Sequence, residues 1–100
     1  SIKERKNVSA NGFIEATILI TPKGNIHNRP LITFRGLPIY EKEEFQNGLE
    51  DEIDRTVKSF SLNNKKQETN LVDALKSTCR KFTKLKTGKR PLANINLVRI

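Results

Sequence analysis

The residues best equipped to act on a ligand stand together near the C-terminal end. Lys84-Leu85-Lys86-Thr87-Gly88-Lys89-Arg90-Pro91 joins four cations, a hydroxyl and a glycine stop. Such groups can grip phosphate, because most protein contacts to nucleic acid run to phosphate and sugar oxygens. The same cations also suit the negative end of a helix, where they only offset its dipole. Other chemistry is sparse. Cys79 falls on an apolar stripe, where a thiol packs as a small hydrophobe rather than a nucleophile. His27 has no Asp, Cys or second His clustered with it, so a ligand or base there lacks partners. Glu43 with Glu44, and Glu50 through Asp54, could supply paired carboxylates. On an exposed helix face such acids more often meet solvent or a cation, as in Asp51 with Arg55 at i, i+4. The five glycines, Gly12, Gly24, Gly36, Gly48 and Gly88, are scattered and assemble no phosphate-cradling loop. No catalytic residue, metal ligand set or cofactor is expected within these residues.

Charge sharpens the choice of partner. Nineteen Lys and Arg against eleven Asp and Glu give a net charge of +8 over 100 residues. Seven of the acids lie in residues 41–54, and none follows Asp73. Lys76, Arg80, Lys81, Lys84, Lys86, Lys89, Arg90 and Arg99 occupy that acid-free end. The chain is thus acidic in its middle and basic at its end, an asymmetry that favours polyanions. Stacking platforms are scarce. Phe45, Phe60 and Phe82 belong to helix stripes, which leaves Phe13, Phe34 and Tyr40. That shortage weighs against an autonomous reader of single strands. No apolar run approaches the roughly 20 residues of a membrane helix, so no membrane partner is expected. The single cysteine closes no internal disulfide, in keeping with a reducing compartment, and a cytoplasmic location is expected.

The elements that must position these residues follow from periodicity. Phe13 to Thr21 alternates Ile14, Ala16, Ile18 and Ile20 with Phe13, Glu15, Thr17 and Leu19, the period of a strand. Pro22-Lys23-Gly24-Asn25 is turn chemistry, and Ile26 to Arg35 completes a hairpin. Pro30 in that second strand forbids one ladder bond, so an edge or a bulge is expected there. From Glu41 the period lengthens, with Phe45, Leu49, Ile53, Val57 and Phe60 on one helical stripe. Gly48 interrupts this helix at about 1 kcal/mol relative to alanine. Ser61 to Thr69 reads as a polar loop. Asn70 with Asp73 resembles a capping box opening a second helix, whose stripe is Leu71, Leu75, Cys79 and Phe82. Thr87-Gly88 and Pro91 stop it. Leu92 to Ile100 is the third strand, with Ala93, Ile95 and Leu97 inward. With a β-β-α-α-β order, a two-layer α+β sandwich of three strands on two helices is the economical solution. One domain over residues 1–100 is expected. The basic, strand-poor start at Ser1 reads as a cut boundary rather than a natural beginning.

Three stretches, taken in order, carry a family resemblance. They are Arg5 through Asn11-Gly12-Phe13-Ile14, then Pro30-Leu31-Ile32-Thr33-Phe34-Arg35-Gly36, and finally Phe82 to Pro91. The second resembles the pattern Pro-x-Ile-x-x-Arg-Gly. The third is similar to an aromatic followed by Lys-Thr-x-Arg-Arg-Pro, with Lys89 where arginine is usual. Together they resemble the C-terminal domain of ribonuclease J, a metallo-β-lactamase/β-CASP ribonuclease. The sequence departs from that family at Ile95, where proline is common, and in the acid content of the first helix.

The resemblance implies a three-stranded sheet backed by two helices. It implies a parent enzyme that degrades and processes RNA from the 5′ end and internally, with zinc in a separate catalytic domain. It also implies a non-catalytic accessory role for this domain, tied to oligomer assembly. The chain has one histidine and no His-x-His-x-Asp-His motif, so nothing catalytic carries over. A sheet covered on one side leaves an open face, and Phe13, Leu19, Leu92, Val98 and Ile100 are the expected subunit contacts of a dimer or tetramer. Lys84, Lys86, Thr87, Lys89, Arg90 and Arg35 are the expected RNA contacts, with Arg35 serving strand-end geometry first. The alternative is a free-standing basic RNA-binding module. A small enzyme is the least supported reading.

Overall fold

A computed structural model describes residues 11–60 and 65–100. Its elements run β1 (Phe13–Ile20), β2 (Ile26–Arg35), α1 (Lys42–Lys58), α2 (Lys65–Thr87) and β3 (Leu92–Arg99). The expected β-β-α-α-β order and α+β sandwich are present. The basic start from Ser1, the stretch opening at Arg5, and the loop as far as Asn64 lie outside the described residues.

The strand order is β2-β1-β3, which makes the most apolar strand central. β1 pairs antiparallel with β2 through the Pro22–Asn25 turn, where Thr21 N–H donates to Asn25 O at 2.8 Å. It pairs parallel with β3, from Phe13↔Leu92 to Ile20↔Arg99. A parallel partner needs a crossover, and the two helices supply it. Ile14, Ala16, Ile18 and Ile20 are buried beneath the helices, while the half-buried odd residues of β1 face the side that no described helix covers. Burial of each isoleucine contributes on the order of 1.5–3 kcal/mol. Ile95 is buried on the same core side, with Ala93 and Leu97 packed beside it, as the parity of β3 requires.

Pro30 sits on an edge strand and beside a bulge. The register with β1 slips between Thr17↔Leu31 and Leu19↔His27, and Asn28 takes a positive φ of 60° in the extra residues. Asparagine tolerates that region better than most residues. The bulge turns Arg29 toward α1, where its guanidinium meets Glu50 at 2.9 and 3.1 Å and Asn47 at 3.0 Å.

On α1, Phe45, Leu49, Ile53 and Val57 are buried as the stripe predicts, and Phe60 packs beyond the helix end. The expected Asp51–Arg55 pair is replaced by Arg55 with Glu52 at 3.3 Å and Lys58 with Asp54 at 2.8 Å. The second helix starts earlier than its capping signal. Residues 65–69, expected in a loop, are helical, and Asn70 lies inside α2 rather than at its cap. Glu68 in the added turn is bonded to Arg99 at the end of β3. Leu71, Leu75, Cys79 and Thr83 are buried, with Phe82 half-buried.

The helices approach closely at Gly48. A Cβ there would lie 2.8 Å from Phe82 Cζ, and the Phe82 ring stacks at 5.3 Å against Phe45, which meets Phe34 at 5.6 Å. Gly48 is therefore a packing requirement, not merely a weak point. Thr56 and Thr78 hydroxyls bridge the helices at 2.9 Å. Gly88, at φ 78°, ends α2 by donating to Lys84 O at 2.9 Å, the left-handed stop that glycine allows.

Two stability measurements check this packing. Gly48→Ala gains about 1 kcal/mol of helix propensity, but overpacking costs about 1–3 kcal/mol. Urea unfolding of G48A is expected to show a net loss, and the same change in an F82L background a net gain. A G48A midpoint above the parent's would contradict the close approach. Thr83 is fully buried with no hydrogen-bond partner for its hydroxyl. Thr83→Val is expected to hold or raise stability by about 1 kcal/mol, and a clear loss would reveal a partner for that hydroxyl.

Candidate functional site

The basic stretch at the end of α2 divides between local work and two surfaces. Lys84 Nζ donates to Gly88 O at 3.0 Å and Thr87 Oγ1 to Thr83 O at 2.8 Å. Lys89 N–H in turn donates to Thr87 Oγ1 at 3.1 Å. These bonds close the helix end. Lys86 leans over the Phe82 ring, 5.6 Å from its centroid, a cation–π arrangement. Arg90 faces elsewhere, into a shallow hollow of about 370 Å³ with Ser77, Arg80, Lys81, Pro91 and Leu92. Arg80 and Lys81 thus join Arg90, a grouping hidden by the sequence because α2 brings residues 77, 80 and 81 onto one flank. Arg35 lies exposed at the end of β2, across the sheet from Leu92 with Phe13 between them in the register. Two strand spacings put their backbones roughly 10 Å apart.

Lys86 also lines a groove of about 680 Å³ between the β2–α1 connection and the facing ends of the helices. Its apolar floor includes Ile39, Phe45, Gly48 and Phe82, and Glu41 and Glu44 stand on its wall. A hydrogen bond with Glu44, then the charge of that neighbour, raises the Glu41 carboxyl above its ordinary range. Tyr40 at the rim is 93 % exposed. The Glu50 hydrogen bond, then its charge, likewise raises the Arg29 pKa above its ordinary value.

The uncovered sheet face holds the expected contact residues in two patches. Phe13 pairs with Leu92 at one end, and Leu19 with Val98 at the other. Ile100 follows, its N–H donating to Ile20 O at 3.0 Å. Leu92, Val98 and Ile100 are 41, 42 and 54 % exposed, whereas Phe13 and Leu19 are half-buried. Between the patches runs a polar belt. Glu15 Oε2 accepts from Asn94 Nδ2 at 2.6 Å and Asn96 Nδ2 at 3.3 Å, and Asn96 donates to Thr17 Oγ1 at 3.2 Å. Sequence reasoning missed this belt. Its only sequence signal is the polar pair Asn94 and Asn96 on the outward parity of β3.

Among the described residues no three His, Cys, Asp or Glu side chains form a metal-binding group. His27 is exposed on β2, and burial pushes the Cys79 thiol up to about 12, away from the thiolate that binds metal. Among the described residues no helix is long and apolar enough to cross a membrane.

Against models of known protein families, residues 1–100 match the one described as the ribonuclease J C-terminal domain. No curated protein matches the sequence.

The state of Cys79 is directly testable. Its thiol pKa is raised from about 9 to about 12, so the folded state holds the proton that the unfolded chain gives up. That contribution to stability is complete below about pH 9 and fades as pH rises toward 12. A thiol-reactive disulfide reagent at pH 8 is expected to leave the native chain unlabelled and to label it promptly in denaturant. Prompt native labelling would contradict the buried thiol.

Proposed function

The chain belongs to the ribonuclease J C-terminal domain family, and from that premise we propose that it is the non-catalytic accessory domain of a ribonuclease J-type 5′-3′ exo- and endoribonuclease, supporting oligomer assembly and RNA processing. Cleavage, and the zinc it uses, belong to the parent enzyme's catalytic domain. The observation that carries this role is a sheet that, among the described residues, helices cover on one side only. Two helices cover the even face of β1, while the other face keeps Leu92, Val98 and Ile100 partly open to solvent. Apolar area of that kind on a small domain suits a subunit contact. A cytoplasmic setting accords with the RNA substrate and the unpaired cysteine.

The RNA component rests on charge. Arg80, Lys81 and Arg90 share one hollow, and Lys86 is exposed beside the neighbouring groove. These cations guide RNA toward the parent enzyme without reading its sequence, since phosphate contacts carry no base information. The same hollow favours a second reading, a free-standing basic RNA-binding module.

Sedimentation equilibrium and RNA binding separate the two. The accessory domain is expected to self-associate as concentration rises and to bind RNA only weakly, with a steep fall in affinity with salt. Arg90→Ala and Lys86→Ala are expected to weaken that binding equally across RNA sequences. Tight RNA binding by a strict monomer would favour the free-standing module. Sustained RNA cleavage by the pure chain with added zinc would overturn both.

A further inference from the structure

The two edges of the sheet are not equivalent. Exposed strand edges offer unpaired backbone donors and acceptors, which proteins commonly blunt with proline, bulges or charge. β2 is blunted by Pro30 and by the slipped register around Asn28. β3 is not. Its eight residues, Leu92–Arg99, keep continuous register with β1 and contain neither proline nor glycine. Its one charged side chain, Arg99, is bonded to Glu68. Among the described residues no strand pairs with its outer side.

The free backbone groups of β3 fall in a pattern. Leu92 N–H donates to Gly12 O, and Ile100 N–H to Ile20 O, at 3.1 and 3.0 Å. Even-numbered residues of the strand therefore direct their backbone groups at β1, and Ala93, Ile95 and Leu97 direct theirs outward. The side chains add a symmetry. Around Ile95 the uncovered face reads Leu92, Asn94, Asn96, Val98, apolar at both ends and amide in the middle. Reversed, that order is chemically the same.

We propose that the outer edge of β3 receives the β3 of a second copy of this chain, antiparallel about a two-fold axis through Ile95, joining two three-stranded sheets into one. Ile95 then faces Ile95 and Ala93 faces Leu97 as hydrogen-bonded pairs, while Asn94 faces Asn96 and Leu92 faces Val98 on the uncovered side. Charge along α2 fits the same axis. Beside the start of β3 the helix presents Arg80 and Lys81, grouped with Arg90. Beside its end it presents Asp73, grouped with Leu97 and with Glu68, which is already bonded to Arg99. A two-fold axis at mid-strand exchanges these ends, so the cations of each copy approach Asp73 of the other. The inference rests on the assembly role proposed above and specifies its geometry.

Cysteine cross-linking tests it, because opposed residues in a non-hydrogen-bonded pair lie about 4.5 Å apart between Cα atoms, within disulfide reach. Asn94→Cys and Asn96→Cys alter exposed side chains, and circular dichroism checks that both variants fold. Under mild oxidation an equal mixture is expected to form disulfide-linked dimer at least about tenfold faster than either variant alone, whose like residues sit about 7–8 Å apart. Association without that preference, abolished instead by Leu19→Ser on the middle of the sheet, would overturn strand pairing and leave the assembly role standing. A monomer at every concentration would overturn both.

Discussion

Everything in this domain depends on the central strand having one face in the core and one face out of it. Ile14, Ala16, Ile18 and Ile20 form the floor on which both helices rest. Because β1 binds β2 and β3 along both of its edges, its backbone is satisfied without help from the helices. The helices are then free to use their apolar stripes on the sheet and on each other. A side chain on the odd parity of β1 has no helix above it among the described residues, and there the chain alternates apolar patches with the Glu15–Asn94–Asn96 belt. Among the described residues the sandwich is covered on one side only, and the proposed assembly role rests on that asymmetry.

The sequence exposes those parts of the fold that depend on local period. Alternation in residues 13–20, the four-residue spacing from Phe45 to Val57 and the parity of β3 each survive in the structure because burial enforces them. Pro30 announces both its edge strand and its bulge. The early start of α2 is not legible, since residues 65–69 carry no apolar period and the Glu68 bond to Arg99 spans 31 positions. Gly48 looks like a defect until Phe82 is placed against it. The candidate site follows the same division. The cations of residues 84–90 are visible in the sequence, but whether each one serves the helix end or the surface depends on geometry. Lys84 turns back to Gly88, while Arg90 joins Arg80 and Lys81. The polar belt joins residues 79 and 81 positions apart, beyond any local signal.

Membership of the ribonuclease J C-terminal domain family is the premise of the proposed division of labour. Cys79 is buried in the core and His27 is exposed on β2. What the domain offers is an uncovered sheet face, one regular open edge and a positive potential toward its C-terminal end. The proposed assembling and positioning role rests on these features.

Assembly through this sheet is tested most directly by backbone hydrogen exchange of the unaltered chain at rising concentration. Protection of the outward amides of Ala93, Ile95 and Leu97 should climb with concentration, while the amides facing solvent along β2 stay unchanged. Exchange at those three positions that ignores concentration, or protection that climbs on the helices instead, would contradict a domain that joins its copies edge to edge.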